Sequence, residues 1–456
     1  MSAAQRKPAE KTKEIFETVA VPTALAKMAL PTVASQLITL IYSLSDTWFI
    51  ARTDNPYMVA ACSLAATLFL LTIAVTNLFG VGGGTLAVRL MGAKQEDEAR
   101  KVAAYSLIMA GGCALVFSLT ILCFMNPLLN LLGASENTIT YARHYLFFTA
   151  VLGAVPTVLS GTMSSMVRNT GHSKEAGFGL SMGGILNIIL DPIFMFVILP
   201  DGYQVMGAAM ATMLSNVISC TYFVFIYRKL KGRSILAIPR RLERIERSSR
   251  KSLFSVGIPA ATTMVLFDLT NMVIYRLASG HGDLALAGIG LVLKVERLPL
   301  NIGIGICLGM VPLVAYNYAS GDLKRMDSFF KGARTAALIV AVISVVLYRL
   351  AAPEVIGLFM SEPETAALAT QFLRARCIAT PVMVLNFHMT HYMQAVNRGK
   401  YSFILAATRQ LALNIPILLV MDHFFGMSGI IWTQAIADAC NAVVSYVIYH
   451  RVRRSM

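Results

Sequence analysis

Residues 185–192 read ILNIILDP, and residues 412–419 read ALNIPILL. In each, an asparagine (Asn187, Asn414) sits in an apolar run with a proline close behind it. The likeness extends along the chain. Pro31 in MALPTVAS answers Pro259 in VGIPAATT, Gly92 in RLMGAK answers Gly321 in NYASGDLK, Gly171 in RNTGHSK answers Gly399 in VNRGKYS, and Gly207 in VMGAAMAT answers Gly429 in MSGIIWTQ. With the two asparagines, these anchors keep one order at offsets of 228 to 229 for the first three pairs, then 227 and 222 residues. Such a series marks a duplicated unit, and a duplicated apolar unit is a common way of building transporters.

The solvent for that unit is lipid. Of the 456 residues 56% are hydrophobic and only 14% charged, and the mean hydropathy is +0.65. A water-soluble domain carries nearer a quarter charged residues. Apolar stretches of roughly 18 to 25 residues, enough to cross the hydrocarbon of a bilayer, recur twelve times. They fall near 23–51, 59–86, 102–124, 145–167, 176–199 and 205–227, then 253–278, 285–315, 333–350, 368–393, 403–421 and 427–449. The expected fold is therefore an all-α integral membrane protein of two pseudo-symmetric six-helix bundles. Residues 1–227 make an N-terminal lobe, 228–251 a basic linker and 252–456 a C-terminal lobe.

Alternate connections hold 30 of the 39 Lys and Arg residues. Basic loops stay in the cytoplasm, so both termini and the linker are expected there, in a multi-pass membrane protein. Six crossings per repeat is even, which leaves both lobes pointing the same way, related by an axis along the membrane normal. The net charge of +15 is accounted for by this topology and by contact with anionic lipid headgroups, not by nucleic acid. The linker, densest in basic residues, is expected to lie along the inner leaflet as a short amphipathic helix. The seven cysteines are scattered without metal-ligand spacing, and read as small packing residues. The first 20 residues are charged and lack the apolar core of a cleavable signal.

Carboxylates inside membrane spans are costly, so each is a functional candidate. Asp46 and Asp191 are expected at similar depths near the ends of the first and fifth spans. Asn187, one turn before Asp191, shares its helix face, and Thr212 on the sixth span reaches comparable depth. Pro192 breaks the helix ladder beside the acid. The set Asp46, Asn187, Asp191 and Thr212 thus supplies oxygens for a small cation or a proton, or else a polar knot that only fixes packing. In the second repeat Asn271 stands opposite Asp46 and Leu418 opposite Asp191, which places coupling in the first lobe. The second lobe has its own polar groups: Asp268, Asn271, Lys294, Glu296, Arg297, His388 and His391. Lys294 or Arg297 could neutralise Glu296 or Asp268. The two histidines have no third metal ligand nearby. Asp268, Asn271, Glu296 and Tyr145 are the candidates for contact with a cationic substrate.

There is no GxxxxGK[ST] phosphate loop and no soluble stretch to house one, so the energy source left is an ion gradient. No acidic metal-binding cluster suggests an enzyme, and no cofactor beyond a coupling H⁺ or Na⁺ is expected.

The segments SDTWFIARTDNPYMVAACSLA, LFGVGGGTLAVRLMGAK, MVRNTGHSKEAG, LNIILDPIF and KVERLPLNIGIGICLGMVPLVAYNYASGD resemble the multidrug and toxic compound extrusion (MATE) family, in its MepA-like and DinF-like branch. The resemblance covers essentially the whole chain. It implies twelve helices in two lobes forming a V around a central cavity, and export of organic cations in exchange for H⁺ or Na⁺. It further implies that Asp46, Asn187, Asp191 and Thr212 form a cation site, while Asp268 lies near an acid used by the NorM-like branch. The expected function is cation-coupled export by a monomer. A lipid-linked precursor flippase is the nearest rival, and a non-transporting membrane scaffold a more distant one.

Overall fold

The computed structural model describes residues 8–53, 55–239, 241, 243–360 and 362–456. After a short helix, Pro8–Glu17, the first lobe runs through Val21–Ala51, Pro56–Gly92, Glu96–Leu131, the bent pair Glu136–Leu152 and Ala154–Asn169, Ser173–Ile198 and Gln204–Leu230. The second lobe follows with Arg247–Ala278, Asp283–Ser320, Leu323–Leu350, and Pro363–Arg376 continued by Thr380–Ala395. The last stretch, Gly399–Arg453, makes two crossings rather than one, because Gly426 (φ 57°, ψ −139°) leaves helical geometry and turns the chain back. An L side chain is strained at that φ, and glycine is not. These are the twelve crossings, numbered below in chain order.

Most helices overrun the apolar cores that announce them. The second begins at Pro56 instead of residue 59, where the Asn55 side chain accepts the Tyr57 amide (3.0 Å) and Pro56 needs no donor. It runs on to Gly92 through VGGGTLAVRLMG, a stretch buried throughout apart from Val81 and Leu90. Large apolar side chains such as Leu131, Val197 and Leu350 point outward, as lipid permits and water does not.

The linker departs from expectation. Among the described residues no helix lies between Leu230 and Arg247, and Ile235 and Leu236 are buried in the main apolar core. An amphipathic surface helix would leave those side chains to the bilayer. Here they anchor the linker to the protein, and the backbone nitrogen of Glu246 donates to Glu98 Oε1 (2.9 Å).

The two lobes meet at the end that carries the termini and the basic loops. A Cβ at Gly82 of the second crossing would lie 2.7 Å from the Leu253 carbonyl oxygen and 2.8 Å from Gly257 Cα of the seventh, so the two backbones touch. The first and eighth crossings approach as closely at Ala29 and Gly309. Arg89 Nη2 donates to Ser252 Oγ (3.0 Å), which donates to Asn397 Oδ1 (2.9 Å). Helix Pro8–Glu17 ties the same end together. Lys13 Nζ reaches Glu96 Oε1 of the first lobe (2.5 Å), Phe16 stacks on Tyr316 of the second (4.7 Å), and Arg325 Nε donates to the Phe16 carbonyl (2.6 Å). Residues 1–7, the rest of the charged leader, lie outside the described residues.

Gly257→Leu is expected to force the lobes apart here, since backbone on the partner helix leaves no room for a side chain. The check is alkylation of a cysteine placed at Ser252 in a background without the native cysteines. It should be slow in the parent protein and fast in the Gly257→Leu variant; equal rates would show that this contact does not hold the end shut.

Candidate coupling site and central cavity

Thr212 and Asn187 come together through Asn187 Nδ2, which donates to Thr212 Oγ1 (3.2 Å) and to Asp191 Oδ1 (3.2 Å). The i, i+4 spacing on the fifth crossing puts Asn187 and Asp191 on one face, and the sixth crossing packs Thr212 against it. Asp191 is fully buried, and two residues after Pro192 the helix widens into a π-turn, Phe194–Ile198. Such widened turns are frequent at functional sites. Asp46 lies close enough for its charge to be felt at Asp191, and both act on Tyr42 and Tyr145. Tyr145 lies two residues before another π-turn, Phe147–Leu152, in the bent fourth crossing.

The electrostatics of this cluster are one-sided. Asp46 Oδ1, Asp191 Oδ2 and Asn187 Oδ1 are buried acceptors without a protein donor. Among the described residues neither acid is in an ion pair with Lys, Arg or His. Buried acceptor oxygens without a donor, in low dielectric, are what a proton or a small hard cation binds.

Beside the cluster is a cavity of about 380 Å³ between the lobes. Asn187, Thr212 and Tyr42 belong both to its wall and to the acid cluster. Gln36, Asn77, Ser160 and Asn216 add amides and hydroxyls, while Phe69, Ile73, Met264 and Leu308 add apolar surface. The second lobe contributes His391, whose Nδ1 is 2.8 Å from the Phe387 carbonyl.

The second-lobe candidates sit elsewhere. Asp268 Oδ1 accepts from Arg297 Nη2 (3.3 Å), so its charge is met within the protein. Glu296 Oε2 accepts from both Nε (3.1 Å) and Nη2 (3.0 Å) of Arg376. Asn271 and Glu296 line a pocket of only about 20 Å³, too small for an organic molecule. Lys294 is exposed. Of the substrate candidates, only Tyr145 is near the acid cluster.

Two buried charges escaped the sequence reading. Arg376, inside the tenth crossing, is the partner of Glu296. Asp438, inside the twelfth, is fully buried and held by Arg409 through Nε on Oδ1 (2.5 Å) and Nη2 on Oδ2 (3.2 Å). Opposite Asp191 the second repeat has Leu418, so the repeat alignment does not mark Asp438. The signal was the run Gln434, Asp438, Asn441 and Ser445, polar groups three or four apart on one helix face.

Comparison with known proteins finds the same family unit in both halves of the chain. The MatE family pattern matches residues 31–193 and 259–420. The chain belongs to the MatE family. Its MATE relatives include the multidrug export protein MepA of Staphylococcus haemolyticus (strain JCSC1435), 30% identical over 97% of this chain and 96% of that protein. MepA of Staphylococcus aureus (strain MSSA476) is 28% identical over 96% and 95%. Among solved structures, a MATE protein in complex with MaL6 has a TM-score of 0.90 at 22% identity, covering 97% of this chain and 98% of that one. A mutant of the Vibrio cholerae MATE transporter VcmN has 0.88 at 19%, covering 98% of each. The V of two six-helix bundles is therefore the MATE fold.

The repeat asparagines give a prediction. Asn187→Ala is expected to cut gradient-driven efflux strongly, because it takes away the amide that donates to Asp191. Asn414→Ala, whose Nδ2 among the described residues donates to Gln434 Oε1 alone (3.2 Å), should cost about 1 kcal/mol of stability, the worth of one hydrogen bond, and leave coupling intact. Equal losses of coupled transport in liposomes would mean that the two residues share a packing role.

Proposed function

We propose that this chain is a secondary active multidrug exporter, expelling organic and mostly cationic compounds in exchange for inward H⁺ or Na⁺ by alternating access. The observation that carries the reading is the buried Asp191 and the half-buried Asp46, each with a buried oxygen that has no protein donor, beside Asn187 and Thr212 on the wall of a cavity large enough for an organic molecule. Export by the MepA relatives supports it.

Sharing those residues is the physical basis of exchange. A cation arriving at Asp46 and Asp191 turns their oxygens inward and draws on the Asn187 amide, which reshapes the cavity wall. A substrate on that wall opposes the change, so the two occupants exclude each other at a cost set by their differential affinities. Contact between the lobes at the basic end closes that side. In this reading the basic end is cytoplasmic, the cavity faces outward, and residues 1–227 and 252–456 rock about the linker as rigid lobes in the inner membrane. A flippase for phosphate-linked lipids would want free cations around the cavity. In the second lobe Arg297, Arg376 and Arg409 are each held by an acid, and among the described residues Arg168 is the one Arg or Lys on the cavity wall.

The test is ethidium efflux from loaded proteoliposomes under ΔpH or ΔNa⁺ imposed separately. Acceleration by one of the two gradients supports the reading, and indifference to both overturns it.

A further inference from the structure

Asn187 with Thr212, and Asn414 with Gln434, are the same pair seen twice. Their offsets of 227 and 222 residues follow the repeat, and in each the asparagine Nδ2 donates to the partner oxygen at 3.2 Å. Each asparagine also has a buried Oδ1 without a donor. The acid beside the pair has changed helices. In the first lobe it is Asp191, one turn after the asparagine; in the second that position is the fully buried Leu418, and Asp438 stands one turn after Gln434.

What faces the acid differs more. Asp438 takes four donors: Arg409 Nε and Asn386 Nδ2 (2.9 Å) on Oδ1, Arg409 Nη2 and Gln434 Nε2 (2.5 Å) on Oδ2. Arg409 is five residues before Asn414 in a π-turn, Thr408–Asn414, and lies over the Phe387 ring at 4.6 Å. Glu296 of the eighth crossing and Arg376 of the tenth form the adjoining ion pair, and Glu296 lies within electrostatic range of both Asp438 and Arg409. The two acids and two guanidiniums of this cluster thus sum to zero, whereas among the described residues neither acid of the first-lobe cluster has a base paired with it.

We propose that Arg409 is a built-in cation at the second lobe's image of the coupling site, so that Asp438 marks a latent cation-binding site which the protein keeps permanently filled. The inference rests on the coupling reading above. A guanidinium does not deprotonate in proteins and cannot leave its chain, so it satisfies the carboxylate without taking part in exchange. Stability alone is a weak reason for such a pair, since buried ion pairs are often no better than apolar side chains of equal size. Its consequence is functional: one lobe exchanges cations with the medium and the other stays neutral through the cycle.

The experiment uses the purified full chain in Na⁺-free buffer, where an unpaired buried carboxylate takes up a proton whichever ion serves in the cell. Infrared spectra are read for protonated-carboxyl bands. Arg409→Met should add one band relative to the parent, Arg409→Lys should add none, and Asp438→Asn placed on Arg409→Met should remove the added band. The double variant Arg409→Met with Asp438→Asn should also keep gradient-driven ethidium efflux unchanged, a readout that holds even if Arg409→Met alone does not fold. Absence of an added band in folded Arg409→Met overturns the proposal. So does loss of gradient response in the folded double variant with ethidium exchange intact, which would make the pair a coupling element. Asp191→Asn, run alongside, separates the two readings: if it abolishes coupling while Arg409→Met adds no band, only the built-in cation fails.

Discussion

Asp191→Asn, and separately Asp46→Asn, should reduce gradient-driven efflux to the rate of protein-free liposomes while the chain remains folded. An amide has nearly the shape of a carboxylate, so packing against Asn187 survives and the thermal unfolding temperature in detergent should move little. What is lost is the negative charge that holds a cation in a low-dielectric site. Among the described residues neither acid has a protein base to hand over its role. Exchange of labelled for unlabelled substrate across the membrane, which needs no gradient, should persist in both variants. Efflux that still responds to the gradient in either, at normal membrane insertion, would remove that acid from the coupling site.

The second large effect is on stability and belongs to the other lobe. Glu296→Gln leaves the guanidinium of Arg376 buried without its counter-charge; both residues are almost wholly inaccessible. Breaking a buried pair from one side costs about 3–5 kcal/mol, a large fraction of the roughly 5–15 kcal/mol that holds a typical domain together. The unfolding temperature should fall sharply. Replacing both, Glu296→Met with Arg376→Met, should restore most of it, because matched apolar side chains substitute for buried pairs at little net cost. Ion-driven efflux should survive the double change. A double variant as unstable as the single one would assign Glu296 a role beyond pairing with Arg376.

The fold was legible because lipid imposes a strong and simple constraint. Twelve apolar stretches, a duplicated set of Pro, Gly and Asn anchors and alternating basic loops specify a two-lobe helical protein without reference to any contact. The first-lobe cluster was legible for a related reason: Asp191, Asn187 and Pro192 are adjacent on one helix, and Asp46 is conspicuous in an apolar span. The second lobe was not, because pairing across helices leaves no mark in local sequence. Arg376 and Glu296 are 80 residues apart, and Arg409 and Asp438 face each other across the reversal at Gly426. Column-by-column comparison of the repeats also misleads when an acid moves to the neighbouring helix, as from Asp191 to Asp438. The linker failed differently. Its basic density suggested a surface helix, but Ile235 and Leu236 have a protein core to enter, and tertiary burial outweighs amphipathic pattern.

The central claim is that substrate and cation compete through Asp46, Asn187, Asp191 and Thr212. It is tested most directly by ion release on substrate binding. Ethidium is added to the purified chain in weakly buffered detergent, with a pH-sensitive dye reporting H⁺ and, in a parallel sample, a sodium electrode reporting Na⁺. The parent protein and the Glu296→Met/Arg376→Met variant should release a cation as ethidium binds, and Asp191→Asn should bind ethidium and release none. Release from Asp191→Asn equal to that of the parent, or its loss only in the second-lobe variant, would contradict the account.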